Sequence, residues 1–76
     1  MKDLVEYIAK ALVEDPSQVS VEEIVGQKTT VYKLRVGNKD IGKVIGKEGR
    51  TARSIRAVLS AAAAKAHKRA ILEIVE

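Results

Sequence analysis

Apolar residues recur at two different spacings in the first part of the chain, and these spacings predict a helix followed by a strand. In residues 1–14 they lie three or four positions apart while charged residues fill another face, as in an amphipathic helix. Pro16 ends this segment, because the residue before a proline is pushed out of helical geometry. Residues 19–25 begin with an alternation of apolar and polar side chains that blurs at Glu22 and Glu23, and we interpret them as a strand.

A second strand and a short helix are predicted in the middle of the chain. Residues 26–28, with the sequence GQK, are predicted to form a turn. Residues 30–36 alternate cleanly, so that the side chains at even positions share one face of a strand. Asp40 is predicted to cap the next helix with its side chain, and residues 41–45 have helical spacing.

The last part of the chain predicts a long helix and a closing strand. Helical spacing extends over residues 50–66, and residues 70–75 alternate as a strand does. The predicted core stripe of the long helix is Ala52, Ile55, Leu59, Ala62 and Ala66. A strand–helix–helix–strand crossover brings the last strand in parallel to an earlier one. We therefore predict an α+β fold, a two-layer sandwich in which helices cover one face of a three-stranded mixed sheet.

Composition narrows the class of protein. A chain of 76 residues makes one domain, and without cysteine it has neither disulfides nor thiolate metal sites. The single histidine, His67, is expected on the surface where the long helix passes to the last strand. No apolar run is long enough to span a membrane, and the first ten residues include acids where a signal peptide has an apolar core. We expect a cytoplasmic protein that needs no metal or cofactor and does not associate with membranes.

Charge divides the chain into two unequal parts. Residues 1–27 carry two lysines against six acidic residues, a balance of −4, whereas residues 28–76 carry twelve lysines and arginines against four acids, a balance of +8. Such asymmetry in a small domain suggests that one face meets an anion, and an ordinary solvated basic surface is the alternative. The sign of the charge does not choose between RNA, DNA and anionic lipid.

The segment IGKVIGKEGRTARSI, residues 41–55, places three glycines among four basic residues. A Walker phosphate loop does not fit, because Gly42 and Gly46 are too close together and Glu48 stands where a hydroxyl should bind magnesium. A dinucleotide fingerprint lacks its Gly-x-Gly, and a transmembrane dimer motif lacks an apolar segment. A glycine-rich corner between helices is the purely structural alternative.

Two helices joined by the sequence GKEG, residues 46–49, match the GXXG loop of a KH domain, which clamps a nucleic-acid backbone. Glycine at both ends permits a tight reversal and leaves no Cβ to hold a strand away. The helix that starts near Arg50 directs free amides and the positive end of its dipole toward the loop, and Lys47 and Arg53 add charge there.

The pattern from Ile41 to Ile55, with the helix and hairpin before it and the strand after it, resembles a minimal type II KH domain. In particular, it is similar to the KhpA family of small bacterial RNA-binding proteins. The resemblance implies the type II KH topology (α-β-β-α-α-β) over residues 1–76, divided into a helix–hairpin extension (1–37), a GXXG helix–loop–helix (40–66) and a terminal strand (68–75).

The same resemblance implies a function, partners and site residues. It implies binding of single-stranded RNA in a bacterial cytoplasm, as an RNA chaperone or post-transcriptional regulator. It also implies a homodimer, a heterodimer with a larger KhpB/Jag-type RNA-binding protein, or both. The RNA-binding residues are then expected to be Gly42, Lys43, Ile45, Gly46, Lys47, Glu48, Gly49, Arg50, Ala52 and Arg53.

Individual residues also have simpler interpretations. Ile45 and Ala52 have spacing that suits the core equally well, and Lys43 and Arg56 suit a solvated surface. Glu48 departs from what anion binding favours, because an acid there weakens a phosphate contact. The scarcity of aromatic residues argues against an RNA-recognition-motif or OB fold, whose binding depends on stacking.

Three alternative functions differ in class. A protein–protein adaptor derived from an RNA-binding fold is the runner-up, since Ile71 and Val75 are predicted to point outward from the last strand. Duplex-DNA binding is disfavoured because no long basic helix is free to enter a major groove. An enzyme is not expected: no serine or threonine has a histidine nearby in sequence to activate it, and no acid cluster suggests metal chemistry, so no catalytic residue is predicted.

Overall fold

A computed structural model describes residues 1–75 of the chain, and its elements follow the predicted order. Three short 3-10 turns, at Pro16–Gln18, Asn38–Asp40 and Lys47–Gly49, connect the main elements. The main elements are α1 (Lys2–Leu12), β1 (Ser20–Val25), β2 (Thr29–Arg35), α2 (Ile41–Ile45), α3 (Arg50–Lys65) and β3 (Arg69–Val75). The α+β prediction is confirmed, while Glu76, the last residue of the predicted domain, lies outside the described residues.

The sheet has the strand order β1-β2-β3, with β2 in the centre. β1 and β2 pair antiparallel through the predicted turn, where the Gly26 N–H donates to the Thr29 carbonyl oxygen at 2.8 Å. β2 and β3 pair in parallel, which requires a long crossover, and α2 and α3 supply it. The predicted mixed sheet is therefore confirmed.

The core lies between one face of the sheet and the helices. Leu34 and Leu59 are fully buried, Val5 of α1 is 1% exposed, and Tyr32 packs with them as the alternation of β2 predicts. The stripe predicted on α3 is wrong at its end: Ala63 is buried, whereas Ala62 is half-buried and Ala66 is exposed. The buried residues at the end of α3 are spaced four apart, so the buried row continues from Leu59 to Ala63 and not to Ala62. Among residues 1–75, no helix combines the length and the apolar character that a bilayer crossing requires.

Asp40 does not have its predicted role as the side-chain cap of α2. Its carboxylate is fully buried and accepts the N–H groups of Glu14 and Asp15, each at 3.1 Å. The backbone of Asp40 has φ −104° and ψ −4°, outside the extended geometry with which a capping residue directs its side chain at the next amides. Asp40 thus ties the chain that follows α1 to the start of α2.

Candidate nucleic-acid interface

The glycine loop (residues 46–49) reverses the chain between α2 and α3, and Gly46 makes the reversal possible. Gly46 has φ +77° and ψ 172°, a region of backbone space that essentially only glycine occupies. A Cβ at this position would overlap the side chain of Thr51 in the first turn of α3. Backbone geometry and packing therefore both require glycine here.

Two further residues of the glycine loop have left-handed backbones. Gly49 has φ +75°, and its N–H donates to the Gly46 carbonyl oxygen at 3.1 Å. Glu48 has φ +56° and ψ 24°, which for a residue with a Cβ costs about 1 kcal/mol. The conformation is thus one that an isolated peptide of this sequence would rarely adopt.

Two main-chain donors of the glycine loop are not used within the described part of the fold. Within residues 1–75, the N–H groups of Lys47 and Glu48 meet no hydrogen-bond acceptor, and both residues are exposed. The sixteen-residue helix α3 begins at Arg50, next to these amides, and brings the positive end of its dipole to them. Adjacent amides in a turn of this kind form a concavity suited to an anion.

The structure brings together the three basic side chains predicted beside the loop, but it places them differently. Lys47 is exposed, and the side chain of Arg50 is 77% exposed with its Nη2 4.0 Å from Oε2 of Glu48. The Arg53 guanidinium turns back instead, and its Nη2 donates to the main-chain oxygen of Glu48 at 2.6 Å. Lys47 and Arg50 are therefore exposed with at most a long ion pair, whereas Arg53 makes a hydrogen bond to the main chain of the loop.

Lys43, in the middle of α2, is held against the chain that follows α1. Its Nζ lies 2.9 Å from Oε1 of Glu14 and 3.4 Å from Oδ1 of Asp40, and Lys39 approaches the same glutamate at 3.9 Å. The hydrogen bond with Lys43 lowers the pKa of Glu14, and the reciprocal bond raises the pKa of Lys43. Burial alone would raise the pKa of Asp40, but the two main-chain N–H donors and Lys43 outweigh it and lower that pKa. Lys43 is therefore paired with both carboxylates inside the protein.

The remaining predicted site residues divide into open and closed positions. Gly42 is exposed, and no described atom lies within 4 Å of where its Cβ would be, so the surface of α2 is open there. Ile45 is half-buried and offers part of its side chain to this surface. Ala52 is only 3% exposed, so it packs inside the fold and offers a ligand almost no surface.

Two contacts made by α3 were not predicted from the sequence. Arg56, interpreted above as solvated, directs Nε to the main-chain oxygen of Leu72 at 3.5 Å and so lies at the free edge of β3. Thr51 packs against Gly46 and fills the space that makes glycine necessary. No local pattern reveals either contact: the first joins residues sixteen positions apart, and the second depends on the loop conformation.

Known proteins match the chain over nearly its whole length. The family model for the KhpA/KhpB KH domain matches residues 2–74. RNA-binding protein KhpA of Aquifex aeolicus is 51% identical over 76 residues, which cover 100% of this chain and 96% of that protein. RNA-binding protein KhpA of Clostridium perfringens is 49% identical over 75 residues, or 99% of this chain and 100% of that protein. The protein of the same name from Borreliella burgdorferi is 46% identical over 74 residues, 97% of this chain and 90% of that protein. No solved structure matches.

Proposed function

The chain belongs to the KhpA/KhpB family of KH domains, and on that premise we propose that it binds single-stranded RNA by clamping the backbone of about four nucleotides on the glycine loop. The observation that carries the proposal is the loop itself. Within residues 1–75, two unpaired amides, the start of α3 and two exposed cations meet at a loop in which Gly49 leaves open space where a Cβ would stand. The proteins named RNA-binding protein KhpA support RNA as the ligand.

Each part of the loop has a distinct role in this mechanism. The amides of Lys47 and Glu48 donate to phosphate oxygens, while the side chains of Lys47 and Arg50 neutralise charge. Bases lie against Gly42 and Ile45, where the surface of α2 is open. Since aromatic residues are scarce, bases are held by van der Waals contact and main-chain hydrogen bonds, and we expect a loose sequence preference.

The small size of the clamp predicts a weak dependence on salt. With two or three phosphates neutralised, a plot of log K against log salt has a slope of about −1.4 to −2.1 for a single strand. A slope several times steeper would mean a much larger basic footprint and would contradict a local clamp.

Fluorescence anisotropy of short labelled single-stranded RNAs tests the proposal. The unaltered protein is compared with the double variant Lys47→Asp, Glu48→Asp, in which aspartate tolerates the left-handed backbone at position 48. Lys28→Asp makes the same change of charge on an exposed residue at the hairpin, at the opposite end of the sheet from α2. Circular dichroism verifies that each variant folds.

We expect RNA to bind the unaltered protein and Lys28→Asp, and not the folded double variant. Equal binding by all three would mean that net charge acts without the clamp. No binding by any of them would favour the adaptor described next.

We propose as the second candidate a protein–protein adaptor, which one specific observation favours. On the sheet face away from the helices, Ile24 is 43% exposed and Ile71 is 39% exposed, and both flank Val31 in register. This apolar row is a surface on which a partner chain could dock. A salt-insensitive dimer in sedimentation, together with no affinity for RNA, would support the adaptor over the clamp.

We propose further that the protein is non-catalytic, resides in the cytoplasm, and acts as an RNA chaperone or post-transcriptional regulator. A clamp on about four nucleotides binds weakly alone, so a second RNA-binding domain adds affinity through effective concentration. A homodimer, or a heterodimer with a larger KhpB/Jag-type RNA-binding protein, would supply that domain, and the family name is consistent with the second arrangement.

A further inference from the structure

The peptide unit between Glu48 and Gly49 is held at both of its ends. Its carbonyl oxygen accepts Nη2 of Arg53 at 2.6 Å, and its N–H donates to the Gly46 carbonyl oxygen at 3.1 Å. Because a peptide unit is planar, these two bonds together fix its orientation. The bond from Arg53 is the contribution of a side chain outside the loop.

The orientation of this peptide unit matters because it keeps Glu48 in its left-handed conformation. At φ +56° this residue is disfavoured by about 1 kcal/mol, so without a restraint the loop would relax to other shapes. The same φ of Glu48 sets how its own unpaired N–H is oriented relative to the rest of the loop. Whatever holds the Glu48 carbonyl therefore also holds the anion-binding shape of the loop.

Arg53 is attached to a rigid part of the molecule. It lies in the first turns of α3, between Ala52 and Ile55, whose side chains are buried at 3% and 4% exposure. Its guanidinium reaches from this fixed backbone to the loop and so links the helix to the turn before it. Arginine suits this task because its planar group directs several N–H donors along fixed lines.

We propose that Arg53 is a positioning residue, which holds the glycine loop in shape for a single-stranded nucleic-acid backbone without itself neutralising a phosphate. This inference rests on the proposed function of the loop. Arg50 and Arg53 are both exposed, and their contacts distinguish them: Arg53 donates to a main-chain oxygen of the loop, whereas Arg50 lies 4.0 Å from the Glu48 carboxylate and contacts no main-chain group of the loop in residues 1–75. The two arginines carry the same charge, three positions apart on one helix, and so form a natural matched pair.

The test compares Arg53→Gln with Arg50→Gln, two variants that lose the same charge. For each, RNA affinity is measured at several salt concentrations, and the order parameters of the Glu48 and Gly49 amides are measured without RNA by ¹⁵N relaxation. Arg53→Lys, which keeps the charge but loses the planar donors, is the third variant. Urea unfolding of each variant verifies that the fold is intact.

We expect Arg50→Gln to reduce the salt slope by about 0.7, the contribution of one phosphate on a single strand. Arg53→Gln should lower affinity about five- to tenfold with the slope unchanged, as expected for one lost hydrogen bond. It should also lower the order parameters from about 0.85 toward 0.6, and Arg50→Gln should not. Arg53→Lys should retain the slope without restoring affinity.

Two results would count against different parts of the argument. A reduced slope in Arg53→Gln, with order parameters unchanged from the unaltered protein, would make Arg53 a phosphate ligand and overturn the positioning role. Absence of RNA binding by the unaltered protein would instead overturn the proposed function. Because the order parameters are measured without RNA, the two failures are distinguishable.

Discussion

The two ends of α3 contain the same unusual backbone conformation and use it differently. Glu48, just before the helix, and His67, just after it, are the two residues with a Cβ and a positive φ among residues 1–75, and both have φ +56°. At the carboxyl end this conformation terminates a helix. At the amino end it shapes a loop in which two main-chain donors have no acceptor within residues 1–75.

The carboxyl end of α3 is maintained by local hydrogen bonds. The His67 N–H donates to the Ala64 carbonyl oxygen and the Lys68 N–H to the Ala63 carbonyl oxygen, each at 3.0 Å. This is the Schellman arrangement, in which a left-handed residue after the helix satisfies carbonyls that would otherwise lack donors. Residues within five positions of one another make the whole structure, and His67 is exposed as predicted.

The amino end is maintained by contacts from several elements. Thr51 packs against Gly46, Arg53 holds the Glu48 carbonyl, and Asp40 anchors α2 to the chain after α1. In spite of these contacts, the amides of Lys47 and Glu48 have no acceptor within the described part of the chain. The two ends therefore share a left-handed residue but differ in whether the nearby main-chain donors have acceptors, and only the amino end leaves donors for a ligand.

The largest expected effect comes from adding a Cβ within the glycine loop. Gly46→Ala should lower the free energy of unfolding by about 3 kcal/mol, since it combines a glycine-only backbone with overlap at Thr51. Urea unfolding measures the change. His67→Ala is the matched control at the other end of α3. Histidine and alanine both carry a Cβ, so the unfolding midpoint of this variant should hardly move. Equal midpoints for the two variants would show that Gly46 is not constrained as described.

Acid should loosen the anchor of α2 at Asp40 before it affects the carboxyl end of α3. The pKa of Asp40 is lowered below its usual 3.8, so its stabilising effect is fully present above that pH and is lost as pH falls through the lower folded-state pKa. Below about pH 4, hydrogen exchange of the Glu14 and Asp15 amides should accelerate relative to that of His67 and Lys68, after correction for intrinsic rates. In Asp40→Asn the ratio of these exchange rates should not depend on pH. If the ratio were independent of pH in the unaltered protein as well, the role given to Asp40 would be refuted.

A smaller effect is expected on α2, where a glycine has no neighbour to demand it. Gly42→Ala should raise the free energy of unfolding by about 0.5–1 kcal/mol, because alanine favours a helix and its Cβ meets open space. The same variant should weaken RNA binding if a base lies there. The control is Ala61→Gly, the opposite substitution at an exposed position of α3 far from the loop. It should lower stability without affecting RNA affinity. Unchanged RNA affinity in Gly42→Ala would remove Gly42 from the interface.

The smallest expected effect compares the two left-handed residues directly. Glu48→Gly and His67→Gly should each raise the free energy of unfolding by about 0.5 kcal/mol, because relief of the left-handed strain exceeds the greater freedom of the unfolded chain. Only Glu48→Gly should change RNA affinity, measured by anisotropy. If His67→Gly changed affinity as much, both ends of α3 would contact RNA and the contrast between them would be lost.

Much of this fold was predictable because it depends on local spacing. Hydrophobic periodicity predicts the type and order of all six main elements, and their boundaries lie within two residues of those found. The crossover predicts that the last strand runs parallel to an earlier one, which is confirmed, but only the structure identifies that strand as β2. The position of the glycine loop was also predictable, since Gly46 and Gly49 interrupt two helical patterns.

The roles of charged residues were harder to predict from the same pattern. Lys43 and Arg53 were predicted as RNA-binding cations, but in the structure Lys43 pairs with Glu14 and Asp40, and Arg53 donates to a main-chain oxygen. Arg56 is exposed, as its interpretation as a solvated residue predicts, and its Nε also lies 3.5 Å from the main-chain oxygen of Leu72. Long side chains can reach several partners, and which one they meet depends on elements that are distant in sequence.

The sequence by itself therefore determined the elements, their order and the place of the glycine loop, because periodicity and glycine act through the local backbone. Only the tertiary structure decided which of the predicted residues remain open to a ligand. Ala52 became buried, Lys43 and Arg53 acquired partners within the protein, and Lys47 and Arg50 stayed available. The physical reason is that burial and charge pairing are set by what the fold brings alongside a residue, and spacing along the chain does not specify this.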